Sequence, residues 1–378
     1  MVHTETIQMV DLQTQYQSIK AEVDAAIQAI LTETNFINGK PVKDFSMHLA
    51  KYLGVKDVIP CGNGTDALQI ALMALDLKPG DEVITSPFTF IATAEVIVLL
   101  GLIPVFVDVD EQYFNLDVNL VEEKISDRTR VIMPVHLYGQ SAHMEPLLAL
   151  ATKYDLAIIE DNAQAIGADY RFANGQSAKT GTIGRIGSTS FYPSKNLGAY
   201  GDGGAICTQD SELAEKMRMI CNHGSRVRYY HDELGVNSRL DTIQAAVLDI
   251  KLKRLDAYIS KRQQAANWYD NGLAGIDQVK VPARAPWSTH VFHQYTLRVA
   301  EGRDALKEAL QQAGIPSMIY YPVPLHLQPA YQQFGYKAGD FPVSERLMNE
   351  VISLPMHTEL TEGQLEIICS QIRHYYSA

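Results

Sequence analysis

Short apolar runs of strand length alternate with helical segments through the first two thirds of the chain, and no other feature constrains the fold as strongly. Residues 81–85, 105–109, 131–135, 156–160 and 205–208 read as strands, and 92–100 reads as a helix stopped by Gly101. Strands that alternate with helices assemble into a mostly parallel α/β sheet. The unbroken apolar character of Leu156-Ala-Ile-Ile marks a strand covered on both faces. From Asp241 to Tyr269 helix formers dominate, and then come a strand at 296–299, a helix near 302–313 and a Pro-rich loop. This change of texture predicts a large lobe over 1–256 and a smaller C-terminal α/β lobe over 257–378. At 378 residues with 46% hydrophobic content, the chain can bury a core for each.

Several classes of protein are disfavoured by the same reading. Cys61, Cys207, Cys221 and Cys369 are widely spaced with no CxxC pair, so neither a zinc site nor a disulfide framework is expected. The most apolar stretch, 91–109, is interrupted by Glu95, Gly101, Pro104 and Asp108, which breaks it into helix and strand rather than a membrane span. A formal charge of −12 without a Lys- or Arg-rich tract argues against nucleic acid as a partner. Nothing at the start resembles a secretion signal, and a cytoplasmic location is expected.

Chemistry gathers around Lys195, in Ser190-Phe-Tyr-Pro-Ser-Lys195-Asn-Leu-Gly-Ala-Tyr-Gly-Asp-Gly-Gly204. A lysine that attacks an aldehyde needs a neutral amine, and burial or nearby positive charge lowers its pKa toward that state. On base rates a lysine among glycines is simply solvated, so its companions matter. Asp161 ends the apolar run 156–161, where the carboxyl end of a parallel strand points its side chain into a crevice. There it can pair with a protonated pyridine nitrogen and strengthen pyridoxal phosphate as an electron sink; the alternative is a helix N-cap. Gln164 could reach the ring hydroxyl. Aspartate first and lysine roughly 35 residues later is the spacing of fold-type I pyridoxal enzymes.

The turn Cys61-Gly-Asn-Gly64-Thr65-Asp66 runs into an apolar helix, and free N–H groups at such a junction bind anions. Gly64, Thr65 and Asp66, with Ser190, are therefore the expected phosphate holders, although most such turns only cap their helix. Phe90, in Ser86-Pro-Phe-Thr-Phe90, is the candidate to stack on the ring; an ordinary core phenylalanine is the competing reading.

On these residues the chain resembles the DegT/StrS family of nucleotide-sugar aminotransferases, fold-type I enzymes that depend on pyridoxal phosphate. The match runs from Val10-Asp-Leu-Gln through Gly64-Thr-Asp-Ala-Leu and Gly80-Asp-Glu-Val-Ile-Thr to Ser353-Leu-Pro-Met-His357. The resemblance implies that Lys195 carries the cofactor and moves protons between it and the substrate carbon. L-glutamate would be the donor, with pyridoxamine phosphate as the intermediate form of the cofactor. Relatives without this lysine are dehydratases, so its retention favours transamination. Asn162 departs from the alanine of many relatives.

The resemblance further implies that Asn237, in Gly235-Val-Asn237-Ser-Arg239-Leu-Asp, contacts the phosphate in a neighbouring subunit's site, so that the active unit is a homodimer. Asn-Ser-Arg-Leu-Asp looks like the branch acting on 3-oxo sugars. His223-Gly-Ser-Arg226-Val-Arg228 and Gln294-Tyr-Thr-Leu-Arg298 look most like enzymes that aminate UDP-2-acetamido-2-deoxy-3-oxo-D-glucuronate for bacterial surface polysaccharide. Such a substrate carries a diphosphate and a carboxylate, groups that the arginine fork binds in pairs. Arg239 is the candidate for the carboxylate, and Arg226 and Arg228 for the diphosphate, against the competing reading of surface ion pairs. Tyr320 and Tyr321 would line the sugar pocket, unless Pro322 and Pro324 make this only a packed turn. Three other readings stay open: an enzyme for a dTDP-3-oxo-6-deoxyhexose, behind it an aminotransferase acting on a 4-oxo sugar, and a non-catalytic sensor that keeps the pyridoxal fold.

Overall fold

Apolar runs pair into one seven-stranded sheet in the computed structural model, which describes residues 6–377. In chain order its strands are β1 (Asp57–Cys61), β2 (Glu82–Thr85), β3 (Ile103–Phe106), β4 (Thr129–Ile132) and β5 (Ala157–Asp161). A hairpin of β6 (Asp169–Arg171) and β7 (Ser177–Lys179) intervenes, and β8 (Ile186–Ser190) and β9 (Gly204–Thr208) complete the set. The spatial order is β1-β9-β8-β5-β4-β2-β3, and β9 alone runs against its neighbours. This is the expected mostly parallel sheet of an α/β fold.

Both faces of the sheet are covered. Alternation sends Val83, Ile159 and Ile206 into a core with α3 (Gly64–Met73), α4 (Ala92–Leu99) and α6 (Ser211–Cys221). Their neighbours Ile84 and Ile158 face α5 (Met144–Tyr154), and Ala205 and Cys207 face α2 (Lys40–Leu53) and α7 (Thr242–Leu252). The long α1 (Leu12–Glu33) packs on α7 through Ile19 and Val23.

Two strands are displaced from the positions expected for them. Residues 131–135 were to be one strand, but β4 ends at Ile132 because Pro134 has no N–H for the ladder, leaving only an isolated bridge between Val135 and Asp161. Instead of 105–109, β3 covers Ile103–Phe106 with Pro104 inside it, which an edge strand tolerates.

A second, antiparallel sheet joins β12 (Val279–Lys280), β13 (Tyr295–Val299) and β14 (Val351–Leu354). Preceding it in the chain, β10 (Ser225–Val227) and β11 (Tyr230–His231) form a separate exposed hairpin. On the second sheet pack α9 (Arg303–Gln312), α11 (Glu362–Ser377) and the far half of α8 (Leu255–Gly272), with α10 (Pro342–Glu350) leading into β14. Leu255 and Ile259 of α8 belong to the first core, whereas Ala265, Ala266 and Tyr269 belong to the second. The chain thus passes from one core to the other along a single helix.

Candidate active site

The carboxyl ends of β1, β2, β5 and β8 open onto one cavity of about 840 Å³, closed on its far side by residues 293–294 and 319–322. Of the residues singled out in the sequence, Gly64, Thr65, Asp66, Phe90, Asp161, Gln164, Ser190, Lys195, Tyr320 and Tyr321 all line it. This is where ligands bind in open α/β sheets.

At one end Asn63 caps α3, its Oδ1 accepting from Asp66 N at 2.8 Å. The N–H groups of Gly64 and Thr65, in the first helical turn, have no intrahelical partner and sit at the positive end of the helix dipole. A Cβ added at Gly64 would stand 2.6 Å from Ser190 Cβ, so only glycine lets the turn approach β8 this closely. Asp66 does not fill its expected place as a phosphate donor. Its N–H is committed to Asn63, and its carboxylate accepts from Ser238 Oγ at 2.6 Å, which ties the turn to the 237–239 segment.

Lys195 and Asp161 line the same cavity, and the carboxylate's charge is felt at the amine. Burial pulls the Lys195 amine down to about 8, opposed by the Asp161 carboxylate, so a usable share of it is neutral near physiological pH. Asp161 is buried, its Oδ2 accepting from Thr93 Oγ1 at 2.8 Å and its Oδ1 from Ala163 N at 3.1 Å. Those bonds aim the carboxylate and leave each oxygen a further lone pair.

The wall above is aromatic. Phe90 is 55% exposed at the mouth, with its ring centroid 6.4 Å from that of Tyr321. A core phenylalanine would be covered; this one has a free face. Gln164 accepts from Tyr138 N at 2.7 Å and donates to Tyr321 Oη at 3.0 Å, while the Tyr138 hydroxyl donates to the Tyr320 carbonyl. Burial lifts the Tyr321 phenol, keeping it a neutral hydroxyl.

Asn237, Arg226, Arg228 and Arg239 do not line this cavity in their own chain. Arg226 and Arg228 project from the exposed β10–β11 hairpin, Arg228 over the Tyr229 ring at 5.0 Å, and Arg239 Nη1 lies 3.4 Å from Asn222 Oδ1. The charges of Arg226 and Arg228 sit together on an exposed hairpin because β10 and β11 pair with each other and with neither large sheet.

Two constellations have no signal in the sequence reading. Glu160 and His136 form a fully buried pair at 2.8 Å. Glu160 also accepts from the N–H groups of Gly181, Ile183 and Gly184, and His136 accepts from Ala142 N at 3.1 Å. His136 N donates to the Asp161 carbonyl at 3.0 Å, so the pair anchors the end of the strand that carries the carboxylate. The other is His293, which lines the same cavity as Lys195.

An amine with a lowered pKa, a buried carboxylate and a helix N-terminus around one cavity of an α/β sheet define a site for a phosphorylated pyridine aldehyde, and so a fold-type I pyridoxal phosphate enzyme. The donor set fits that cofactor group by group. The chain belongs to the DegT/DnrJ/EryC1/StrS aminotransferase family, whose model matches residues 17–373. It is 47% identical to a protein of Geobacillus stearothermophilus named pleiotropic regulatory protein, covering 98% of each chain. It is 46% identical to the UDP-N-acetyl-3-dehydro-alpha-D-glucosamine 3-aminotransferase of Acidithiobacillus ferrooxidans, over 99% of each. With the UDP-2-acetamido-2-deoxy-3-oxo-D-glucuronate aminotransferase of Pseudomonas aeruginosa it shares 43% over 97% of this chain and 99% of that one. Among solved structures, DesV of S. venezuelae in complex with a ketimine intermediate superposes with a TM-score of 0.95 at 40% identity, covering 99% of this chain and 100% of that one. Pyridoxal phosphate is the cofactor. Among the described residues no helix is long and apolar enough to cross a membrane, and no cluster of side chains could hold a metal ion.

Proposed function

We propose that this protein moves an amino group from L-glutamate to the 3-oxo carbon of a UDP-linked sugar, UDP-2-acetamido-2-deoxy-3-oxo-D-glucuronate first among them. The observation that carries the reading is the desolvated Lys195 amine sharing one cavity with Asp161, in a chain whose near full-length relatives include two named as aminotransferases of UDP-linked 3-oxo sugars. Bound pyridoxal phosphate supplies the electron sink that lets a proton leave the donor's α-carbon.

The chain's own groups do the rest. The N–H groups of Gly64 and Thr65 and the Ser190 hydroxyl hold the phosphate. Asp161 pairs with the ring nitrogen, Gln164 reaches the ring hydroxyl, and Phe90 covers one face. Lys195, once free, takes the proton from the reacting carbon and returns it on the other side of the exchange. Tyr320 and Tyr321 border the sugar.

Asn237 and Arg239 serve a second copy of the chain, so the working unit is a homodimer. Arg239 grips the uronate carboxylate, and Arg226 and Arg228 attract the diphosphate toward an acidic protein from the hairpin rather than from within the cavity. The product feeds a bacterial surface polysaccharide such as O-antigen or lipopolysaccharide, made from nucleotide sugars in the cytoplasm.

A second reading, a neutral UDP-3-oxo-N-acetylglucosamine as substrate, is favoured by one observation: among the described residues no arginine lines the cavity. Purified protein with pyridoxal phosphate and glutamate should release 2-oxoglutarate. Adding the 3-oxo-glucuronate, the neutral 3-oxo sugar or a dTDP-3-oxo-6-deoxyhexose should then restore the cofactor absorption only with the true acceptor. For the uronate reading, Arg239→Ala should lower kcat/KM on the acidic sugar by roughly 100-fold and spare the neutral one, the size expected when a charge-paired contact is removed. Equal loss on both sugars sinks the carboxylate role. No 2-oxoglutarate with any preparation would favour a sensor over an enzyme.

A further inference from the structure

Residues 290–294 form a loop pinned from several sides. Asn196 Nδ2, next to Lys195, donates to Val291 O at 2.8 Å, and Val291 N and Gln294 N donate to the carbonyls of Gly139 and Tyr138. Arg262, a buried guanidinium from α8, donates to the carbonyls of Phe292 at 3.0 Å, Met356 at 3.0 Å and His293 at 3.5 Å. Among the described residues no carboxylate pairs with it, and burial alone acts on its charge. Under these ties Phe292 adopts a φ of 46°, a strained left-handed backbone for a bulky residue. Strain held this firmly needs a reason.

The residue it presents is His293. More than nine tenths buried, it nevertheless lines the cavity shared with Lys195, and its Nδ1 makes no hydrogen bond. Among the described residues the only side chain within hydrogen-bonding range of the ring is Gln294, its Nε2 3.5 Å from His293 Nε2, a weak contact. A buried imidazole nitrogen without a partner costs about 1–3 kcal/mol, and here it opens onto the cavity that holds the amine. Burial, with the positive charges of Lys195 and Arg262, holds the ring neutral, so one nitrogen can accept while the other donates.

We propose that His293 is a positioning residue for Lys195: a neutral imidazole whose unpartnered Nδ1 receives the ε-amine when turnover releases it from the cofactor, with Arg262 as the clamp that keeps the ring in place. The inference rests on the reading that Lys195 carries the cofactor. Its consequence is specific to the free amine. When pyridoxal phosphate takes the amine, His293 loses this partner; when pyridoxamine phosphate fills the same cavity, it keeps it.

The test uses the full-length protein freed of cofactor. Pyridoxal phosphate is added, and the rate at which Lys195 is captured is read by absorption and by borohydride trapping with peptide mass; affinity for pyridoxamine phosphate is measured separately. His293→Leu should slow capture by roughly tenfold or more, as misplaced reacting groups do, and lower kcat with little change in KM. His293→Gln, which keeps a hydrogen-bonding group, should recover most of the rate. Both should bind pyridoxamine phosphate within a factor of about two of wild type, since the phosphate and ring contacts are elsewhere.

Wild-type rates in His293→Leu overturn the proposal, and so does loss of pyridoxamine phosphate binding in both variants, which would mark a packing role. Should His293→Leu fail to fold, the ring nitrogen resonances of wild-type His293, assigned by difference from His293→Gln, decide. They should differ between the pyridoxal and pyridoxamine phosphate forms; identical resonances overturn the idea. Failure of the wild type itself to form a borohydride-stable link at Lys195 would instead overturn the lysine assignment on which this rests.

Discussion

At the residue scale the site is built from side chains whose charge states are set by where they sit. Lys195 is the clearest: because burial brings its amine to about 8, the rate at which cofactor-free protein captures pyridoxal phosphate should climb with pH and level off above about 8. The sign follows from the neutral amine being the nucleophile, and stopped-flow absorbance across pH checks it; a rate that falls with pH contradicts it. Lys195→Ala should abolish turnover while still binding pyridoxamine phosphate, so wild-type steady-state rates in that variant would remove the lysine from the mechanism. Asp161→Asn keeps the shape and loses the charge opposite the ring nitrogen. Its kcat should drop by roughly 100-fold or more, the scale seen when a preorganised electrostatic partner is removed. These two residues were legible because each stands in a distinctive local sequence. His293 was not, since what marks it is an unpartnered nitrogen and a strained neighbour, and neither can be seen in His-Val-Phe-His.

Elements decide whether those side chains arrive together. The cap on α3 both starts the helix and frees two N–H groups, so Asn63→Ala should destabilise the protein by about 1 kcal/mol and weaken cofactor affinity, read by thermal melting and by titration with pyridoxal phosphate. Glu160 binds the end of β5 to the 181–184 turn and to His136. Glu160→Gln replaces one accepting oxygen with an amide NH₂ that faces other donors, and should cost about 3 kcal/mol in a denaturant titration. A change below about 0.5 kcal/mol, the scale of an ordinary surface substitution, would show that the buried carboxylate is not an anchor. Strand existence was readable from apolar runs, but strand ends were not. Pro134 cut one ladder short, and an edge position let β3 begin before Pro104. Asp66 teaches the same lesson, because a residue in a phosphate-type turn can be spent on holding the turn itself.

For the whole molecule, the β10–β11 hairpin and its following loop carry Val227, Tyr229, Tyr230 and Leu234, the last 88% exposed, beside Arg226 and Arg228. Apolar side chains gathered on a protruding hairpin call for a partner surface, which accords with a second copy as the proposed recipient of Asn237. A Tyr229→Ser, Leu234→Ser double variant should sediment more slowly than wild type and lose most of its activity. A fully active monomer would dismiss the shared site. What the sequence by itself determined is the alternation that makes a mostly parallel α/β sheet, and which amine, carboxylate and anion turn are the candidates, because periodicity and local residue type are properties of neighbours in the chain. Only the tertiary structure decided which groups face one cavity. Lys195, Asp161 and Gly64 meet there from segments separated in the chain, Arg226 and Arg228 are kept out of it, and the loop that carries His293 is held by an arginine from α8. Burial and long-range hydrogen bonds set those outcomes, and both exist only once the sheet has formed.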